Sequence, residues 1–286
     1  MRIGVVAAAP LVAALLALAS CETFTADATP NGDAGGSSDG APGDAQADAA
    51  ARDGDASSVP LTYPATVLAD GPLLYYRLGE HTTTGPAVDL SPSMRNAEFR
   101  GNLTANAAGA IAGDPDTAFR FDGMSSAVVL ADGPTFAGNA PYTMEAWVRP
   151  TTTNGGRVIT GCQSGAGGGW AMFFDSDPRP IIERQLMNLG DRVQGGTLPA
   201  NAFAHLVGTF DGTTQRLYVD GEPVNSAASG KQLPGPAGVP FAIGANGTAA
   251  QINFFEGDID EVAIYDHVLT AARIRAHHQV GIGAAP

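Results

Sequence analysis

The sequence contains few cysteines and few basic residues. Its two cysteines, Cys21 and Cys162, are far apart in a chain of 286 residues. A disulfide framework is therefore excluded, and the fold must rest on an apolar core. There are 15 Lys and Arg residues against 29 Asp and Glu residues, which gives a net charge of −14. We expect no nucleic-acid partner, because phosphate binding needs clustered basic side chains.

Several catalytic signatures are also missing. The five histidines show no zinc-binding spacing, no Gly-x-Ser-x-Gly elbow occurs, and the glycine-rich stretch before Trp170 lacks the Lys-Ser/Thr of a phosphate loop. No Cys–His–Asn pattern of a known protease family surrounds Cys162. We interpret Cys162 as a small buried side chain, with a nucleophile as the alternative.

The first residues have the pattern of an export signal. Arg2 precedes an apolar run over Ile3–Leu18, which is shorter than the about 20 residues that span a membrane. The run ends in "LASC", which resembles the lipobox of bacterial lipoproteins. That resemblance implies a signal peptide over 1–21 and lipidation of Cys21, so the membrane is reached through a lipid anchor only. An ordinary signal peptide with an incidental cysteine is the alternative.

The next segment, 22–60, predicts a linker. It is mostly Ala, Gly, Asp, Ser and Pro, with eight acidic residues and one basic residue. Such a segment cannot bury enough apolar surface to offset the entropy of ordering it. Glu22 follows the lipobox cysteine, and by resemblance to Gram-negative sorting patterns this favours a lipid-anchored location in the cell envelope, at the outer membrane.

From Leu61 the composition changes, and residues 61–281 predict one all-β domain. Short segments rich in β-branched and aromatic residues alternate with Gly, Asp, Asn or Pro, which is typical of a sandwich or barrel. In "TMEAWVR", Met144, Ala146 and Val148 share one face of a strand. One short C-terminal helix is expected, capped by Thr270, with Ile274 and Ala271 packing inward.

Three separated motifs give a resemblance to a known family. They are "FRFDG…YTMEAWVRP", "AHLVGTFDGTTQRLYVDGEPV" and "FFEGDIDEVAIYDHVLTAARI", and "LLYYRLGE" precedes them. Together they resemble a LamG-like domain of the concanavalin A-like lectin/glucanase superfamily. The resemblance implies an antiparallel two-sheet jelly-roll sandwich. It does not imply one activity, because such folds carry many different sites.

The resemblance also implies a structural calcium ion. In this family the Asp of the final core strand often helps to bind calcium, and that position is Asp260 here. Glu80 or Asp89 from the opening segment is the expected companion. Calcium prefers six to eight oxygen ligands. The alternative is that these are solvated turn carboxylates.

A ligand-binding face is expected around the second motif. Glu145, Trp147 and Arg149 alternate with core residues, and an indole can stack on a sugar while charged groups bind its hydroxyls. Arg184 and His205 lie on other strands and are expected to converge there. Trp170 is a candidate loop-borne anchor, with a core position as the equal alternative. The alternative is that Trp147 is packed under loops.

The stretch "EGDIDE" offers an enzymatic alternative. Glu256, Asp258 and Glu261 match the carboxylate spacing of laminarinase-type hydrolases in its longer form, but a regular strand would place Glu261 on the other face unless a bulge intervenes. We therefore predict no catalytic residues and a non-catalytic module that binds a glycan or a cell-surface protein. The alternatives are a glycoside hydrolase or lyase and a structural or adhesive envelope protein.

Overall fold

A computed structural model describes residues 62–151, 155–164, 168–175, 178–187, 189–199, 201–235, 240–247 and 252–285. The predicted signal peptide, Cys21 and the linker over 22–60 lie outside the described residues. The structure describes the backbone of Cys162 but not its side chain. The boundaries 1–21, 22–60 and 61–281 therefore stay predictions.

The described residues form two antiparallel sheets, as the sequence predicts. The eight-stranded sheet contains β1 (Leu74–Tyr76), β3 (Thr104–Ala108), β4 (Thr117–Asp122), β6 (Tyr142–Pro150), β11 (Ala204–Phe210), β12 (Thr214–Val219), β13 (Glu222–Ala228) and β15 (Glu256–Tyr265). The seven-stranded sheet contains β2 (Glu98–Arg100), β5 (Ala127–Leu130), β7 (Gly156–Ser164), β8 (Gly168–Phe174), β9 (Pro180–Leu186), β10 (Leu189–Gln194) and β14 (Phe241–Ile243).

The strand order shows long crossovers between the sheets. The eight-stranded sheet runs β13-β12-β11-β6-β15-β4-β3, and β1 also pairs with β15. The seven-stranded sheet runs β10-β9-β8-β7-β14-β5-β2. Consecutive strands such as β4, β5 and β6 alternate between the sheets, which is the connectivity of a jelly roll. The predicted jelly-roll sandwich is confirmed.

The core lies between the two sheets and follows strand alternation. Met144, Ala146 and Val148 are fully buried in it, as the alternation in β6 predicts. Aromatic side chains fill the space between the sheets, for example Trp170 and Phe241, whose ring centroids are 6.1 Å apart. The inner faces of both sheets are therefore buried and closed to a ligand.

Two helices pack outside the eight-stranded sheet. The predicted C-terminal helix is α2 (Ala271–Gly281), and the Thr270 hydroxyl accepts a hydrogen bond from Arg273 N at 3.3 Å. Ile274 is buried as expected, but Ala271 is exposed. No helix of the described residues is both long and apolar enough to cross a bilayer.

A second helix, α1 (Tyr63–Ala69), was not expected from the sequence. It begins after Thr62, whose hydroxyl accepts a hydrogen bond from Ala65 N, and it has a proline in its first turn. Tyr63 and Val67 are its buried apolar side chains. Seven residues give too few repeats for a helical pattern to be recognised.

The two helices divide the outer face of the eight-stranded sheet into two parts. One part is covered, and there the helices and strands share a second apolar cluster that includes Val67, Trp147, Val207, Tyr265 and Ile274. The other part lies over β3, β4, the start of β15 and the end of β6, and it contains exposed side chains such as Thr104 and Arg120.

Candidate functional site

The uncovered part of the eight-stranded sheet carries two rows of polar side chains. In the first row, Thr104 pairs with Arg120, Arg120 pairs with Asp258, and Asp258 pairs with Arg149 across four adjacent strands. Paired residues lie on the same face, and so do residues two positions apart along a strand. The second row therefore includes Asp122 and Glu256, which pair across β4 and β15.

Asp258 holds the first row together. Its side chain is completely buried and accepts hydrogen bonds from Arg120 Nε and Nη2 at 2.8 and 3.0 Å, and from Arg149 Nε at 2.7 Å. The Arg149 guanidinium also lies 4.5 Å from the ring centroid of Phe203. The side chain of Arg120 remains 51% exposed. Asp258 therefore fixes a solvent-accessible guanidinium in one orientation.

A groove of about 370 Å³ lies over these rows. It is lined by the polar residues Asn102, Thr104, Arg120, Asp122, Thr151 and Glu256, with Phe121 beneath them. This volume is typical of small-molecule sites, and the polar groups include both donors and acceptors. The groove lies over strands that are already paired.

The two carboxylates of the second row differ in their partners. Asp122 Oδ1 accepts hydrogen bonds from the backbone N–H groups of Met124, Ser125 and Ser126, and Oδ2 accepts one from Ser125 Oγ. Burial would raise the pKa of Asp122, but these donors outweigh it and hold the pKa well below its usual value. The Glu256 carboxylate makes no hydrogen bond or ion pair with the described residues, so it is the acceptor that the groove offers to a ligand.

The helix-covered part contains a buried polar cluster around Glu145. Its Oε1 accepts a hydrogen bond from Tyr63 Oη at 2.9 Å, lies 2.7 Å from His205 Nε2 and 2.9 Å from His277 Nδ1. Its Oε2 accepts one from Tyr265 Oη at 2.9 Å. These partners come from α1, α2 and two strands. The cluster therefore joins both helices to the sheet.

Glu145 and His277 in this cluster each stabilise the charged form of the other. Burial would raise the pKa of Glu145, but the charge of His277 and hydrogen bonds from both histidines hold it well below its usual value. Burial would lower the pKa of His277, but Glu145 and Asp70 raise it instead. His277 Nε2 lies 2.7 Å from Asp70 Oδ2 at the end of α1. The cluster is thus an anion–cation–anion chain inside the protein.

The expected ligand-binding face is brought together only in part. Glu145, Trp147 and His205 do meet, and the Trp147 and His205 rings are stacked with centroids 4.9 Å apart. All three are buried, because α1 and α2 cover them. Stacking on a sugar requires an exposed indole, so the structure corrects this expectation: these side chains hold the helices. Arg149 lies beside the groove rather than in its lining, where it donates a hydrogen bond to Asp258.

Arg184 and Trp170 lie elsewhere, in the core between the sheets. They pair across β8 and β9 and are both buried. The Arg184 guanidinium lies 3.7 Å from the ring centroid of Phe210, and its Nη2 donates to the carbonyls of Gly138 and Lys231 at 2.9 Å. Arg184 does not converge with His205, so that expectation is corrected. Of the two alternatives for Trp170, the structure shows the core position.

Sequence reasoning missed a buried polar set on the outer face of the seven-stranded sheet. It consists of Arg157, Thr160, Glu183, Gln185 and Asn246. The cavity that they line has a volume of about 10 Å³, which is room for about one water molecule. Because the set is enclosed, the groove on the opposite sheet is the better candidate for a ligand.

Comparisons with known proteins agree with this architecture. The Laminin_G_3 model of the concanavalin A-like lectin/glucanases superfamily matches residues 122–275, just over half of the chain. The chain belongs to this superfamily. No curated protein sequence matches it.

Solved structures of binding domains share the fold. The binding domain of Paraclostridial Mosquitocidal Protein 1 matches with a TM-score of 0.58 and 14% identity, over 74% of this chain and 52% of that one. Domain 4 of the arabinanase AbnA from Geobacillus stearothermophilus, in complex with arabinotriose, matches with a TM-score of 0.55 and 19% identity, over 72% and 97%. The ligand-binding domain of botulinum neurotoxin serotype D, in complex with N-acetylneuraminic acid, matches with a TM-score of 0.55 and 15% identity, over 74% and 51%. This chain spans about half the length of the two toxin domains.

Asp89, one of the residues that the resemblance implies for calcium, has hydrogen-bond partners close to it in the chain. Asp89 Oδ1 accepts hydrogen bonds from the N–H groups of Tyr75 and Ser91, and its Oδ2 accepts them from Ser91 Oγ, Ser93 Oγ and Arg95 N. It braces its own loop. Within the described part of the chain, no three His, Cys, Asp or Glu side chains form a group that could hold a metal ion. Calcium binding stays a prediction from the resemblance.

A guanidinium already occupies the surroundings of Asp260. The adjacent Glu261 accepts hydrogen bonds from Tyr75 Oη and from Arg77, whose Nε is 2.9 Å from Glu261 Oε1. Arg77 also pairs with Asp114 and Asp116 at 2.9 and 3.0 Å. Asp260 itself accepts a hydrogen bond from Ala110 N at 2.8 Å. Glu261, Asp114 and Asp116 therefore share one internal cation, Arg77.

The hydrolase-like motif also departs from catalytic geometry. A bulge between Asp260 and Ala263 does occur, and Glu261 has a φ of +50°. It turns Glu261 toward Tyr75 rather than toward Glu256. At about 3.3 Å per residue, the Cα atoms of Glu256 and Glu261 are roughly 16 Å apart along the strand, whereas retaining enzymes need carboxylates about 5–5.5 Å apart.

Proposed function

We propose that the protein is a non-catalytic module that binds a glycan in the groove over β3, β4, β15 and β6. The observation that carries this proposal is the guanidinium of Arg120, held by the buried Asp258 at the wall of a 370 Å³ groove. A side chain fixed before binding loses little rotamer entropy when it meets a ligand. An arginine that is half exposed and yet fixed is suited to recognition.

The groove has the chemistry that sugar hydroxyls need. A hydroxyl both donates and accepts, so it is best bound between a donor and an acceptor. Arg120 provides the donor, Glu256 the acceptor, and Asn102, Thr104 and Thr151 add groups of both kinds. Since the strands are already paired here, the groove is pre-formed.

The superfamily fold supports a binding role. The similar domains include one solved with arabinotriose and one solved with N-acetylneuraminic acid, and others are described as receptor-binding. The absence of catalysis is proposed on the contacts of the carboxylates: Asp258 is bound by two arginines and Glu261 by Arg77. A cell-surface protein is the second class of ligand that we propose for this domain.

We further propose that the domain is exported and lipid-anchored in the cell envelope, at the outer membrane. The support is the sequence alone: the lipobox-like "LASC" ending at Cys21 and the acidic stretch over 22–60. Labelling cells with radioactive palmitate tests this. We expect incorporation into the protein and none into the Cys21→Ser variant. Equal labelling, or none in either, contradicts the anchor.

A glycan array with the purified protein tests the binding role. We expect signals that Arg120→Ala and Glu256→Gln strongly reduce, because each removes one side of the groove. Glu98→Gln is the matched control, since it changes an exposed strand carboxylate on the opposite sheet. Reducing ends released from polysaccharides, and lost in Glu256→Gln, would contradict the non-catalytic role. No signal on any glycan would favour protein adhesion instead.

A further inference from the structure

The two polar rows of the groove carry opposite charges. The first row contains two guanidiniums, of Arg120 and Arg149, and the single carboxylate of Asp258. The second row contains the two carboxylates of Asp122 and Glu256, which pair directly across β4 and β15. The groove is therefore positive along one row and negative along the next, with one excess negative charge.

The rows are close but do not neutralise each other. Arg120 and Glu256 are diagonal neighbours on adjacent strands, and such neighbours have Cα atoms about 7–8 Å apart. Within the described chain no ion pair joins them, because Arg120 uses its Nε and Nη2 on Asp258. The Arg120 guanidinium, a donor, and the Glu256 carboxylate, an acceptor, therefore face the same space from adjacent strands. Neither is hydrogen-bonded to the other, so each can still bind a ligand group.

From this arrangement we infer that the groove selects an uncharged sugar and rejects acidic sugars. This rests on the proposed glycan-binding function and names the ligand class for the same site. Two neighbouring hydroxyls of a sugar ring fit the space between Arg120 and Glu256. One hydroxyl accepts a hydrogen bond from Arg120 and the other donates one to Glu256. Both bonds involve a charged partner and are therefore stronger than bonds between neutral groups.

An acidic sugar cannot form this pair of hydrogen bonds with Arg120 and Glu256. Its carboxylate cannot donate to Glu256, and in the groove it would be placed near Glu256 and Asp122 together. Arg120 offers limited compensation, because Asp258 already shares its charge. The protein as a whole carries a net charge of −14, which also disfavours the approach of an anion. The unfavourable contact arises mainly from Glu256, because that carboxylate has no partner among the described residues.

The experiment compares neutral oligosaccharides with their C6-oxidised counterparts. An array carries β-1,4-glucan, β-1,4-mannan and galactan tetrasaccharides, each paired with its uronate, and the full-length protein is the analyte. We expect at least one neutral member to bind about tenfold more tightly than its uronate at low ionic strength. Glu256→Gln should reduce the ratio of the affinity for the neutral sugar to the affinity for its uronate, and Glu98→Gln should leave this ratio unchanged. Matching melting temperatures show that each variant is folded.

The outcomes separate this inference from the function on which it rests. Uronates that bind as tightly as the neutral sugars, or a ratio that Glu256→Gln leaves unchanged, overturn the charge selection while glycan binding stands. Failure of every member of every pair to bind contradicts the glycan-binding function itself.

Discussion

His277 on α2 lies between two carboxylates, 2.9 Å from Glu145 Oε1 and 2.7 Å from Asp70 Oδ2. Glu145 belongs to β6 and Asp70 ends α1, so one imidazole connects both helices to the eight-stranded sheet. The helices cover residues that would otherwise form an exposed aromatic face. Their attachment therefore decides which part of the sheet remains open as a groove.

Removal of this imidazole should destabilise the protein. His277→Ala leaves the buried carboxylate of Glu145 without its cation, and breaking a buried ion pair typically costs about 3–5 kcal/mol. We expect a decrease of this size in the free energy of unfolding, measured by urea denaturation at pH 6. His267→Ala changes an exposed histidine and serves as the control. A decrease no larger than that of the control would show that the cluster does not hold the helices.

The same cluster predicts a pH optimum for stability. The pKa of Glu145 is lowered below its ordinary 4.5, so its contribution is complete above pH 4.5 and is lost as the pH falls through the lowered value. The pKa of His277 is raised above its ordinary 6.5, so its contribution is complete below pH 6.5 and is lost as the pH rises through the raised value.

Stability from the cluster should therefore be greatest between about pH 4.5 and 6.5. Unfolding free energies measured from pH 3 to 9 check this. His277→Gln should flatten the alkaline decline, since glutamine does not titrate. An alkaline decline that persists in this variant would have to come from other groups and would contradict the assignment to His277.

The groove should depend on Asp258. Asp258→Asn removes the carboxylate that fixes Arg120 and Arg149, and hydrogen bonds to charged groups contribute about 1.5–3 kcal/mol each. We expect a loss of about 2 kcal/mol in unfolding free energy and weaker glycan binding, because Arg120 loses its fixed orientation. Calorimetry and the array measure the two effects. Glycan binding that is unchanged in this variant would mean that Arg120 does not need a fixed orientation.

Arg77 should stabilise the fold through its carboxylate partners. It forms ion pairs with the buried Glu261 and with Asp114 and Asp116. We expect Arg77→Met to lower the melting temperature because Glu261 loses its cation. From the calcium ion that the resemblance implies, we expect a chelator to lower the melting temperature as well. Arg100→Met, which removes an exposed ion pair, is the control. A melting temperature that falls with the chelator would support the calcium ion that the resemblance implies.

Much of the fold could be predicted from the sequence because it depends on local patterns. Strand alternation in β6 places Met144, Ala146 and Val148 in the core, and Thr270 begins α2 as expected. Alternation assigns a residue to a face but does not say what covers that face. Trp147 therefore looked like an exposed anchor, although α1 and α2 together bury it.

The groove was harder to predict because its parts are distant in sequence. Arg120 and Asp258 are 138 residues apart and meet only because β4 pairs with β15. The signal was present in alternate polar residues, at 120 and 122 and again at 256 and 258. Register between distant strands follows from the whole sandwich, so no local pattern could place these residues together.

An NMR titration of the backbone amides tests the location of the site most directly. The oligosaccharide that binds most tightly on the array is added to the isotopically labelled protein. We predict that the shifted amides belong to β4, the first half of β15 and the end of β6, around Arg120 and Glu256. Shifts confined to the outer face of the seven-stranded sheet, around Thr160 and Glu183, would contradict this account.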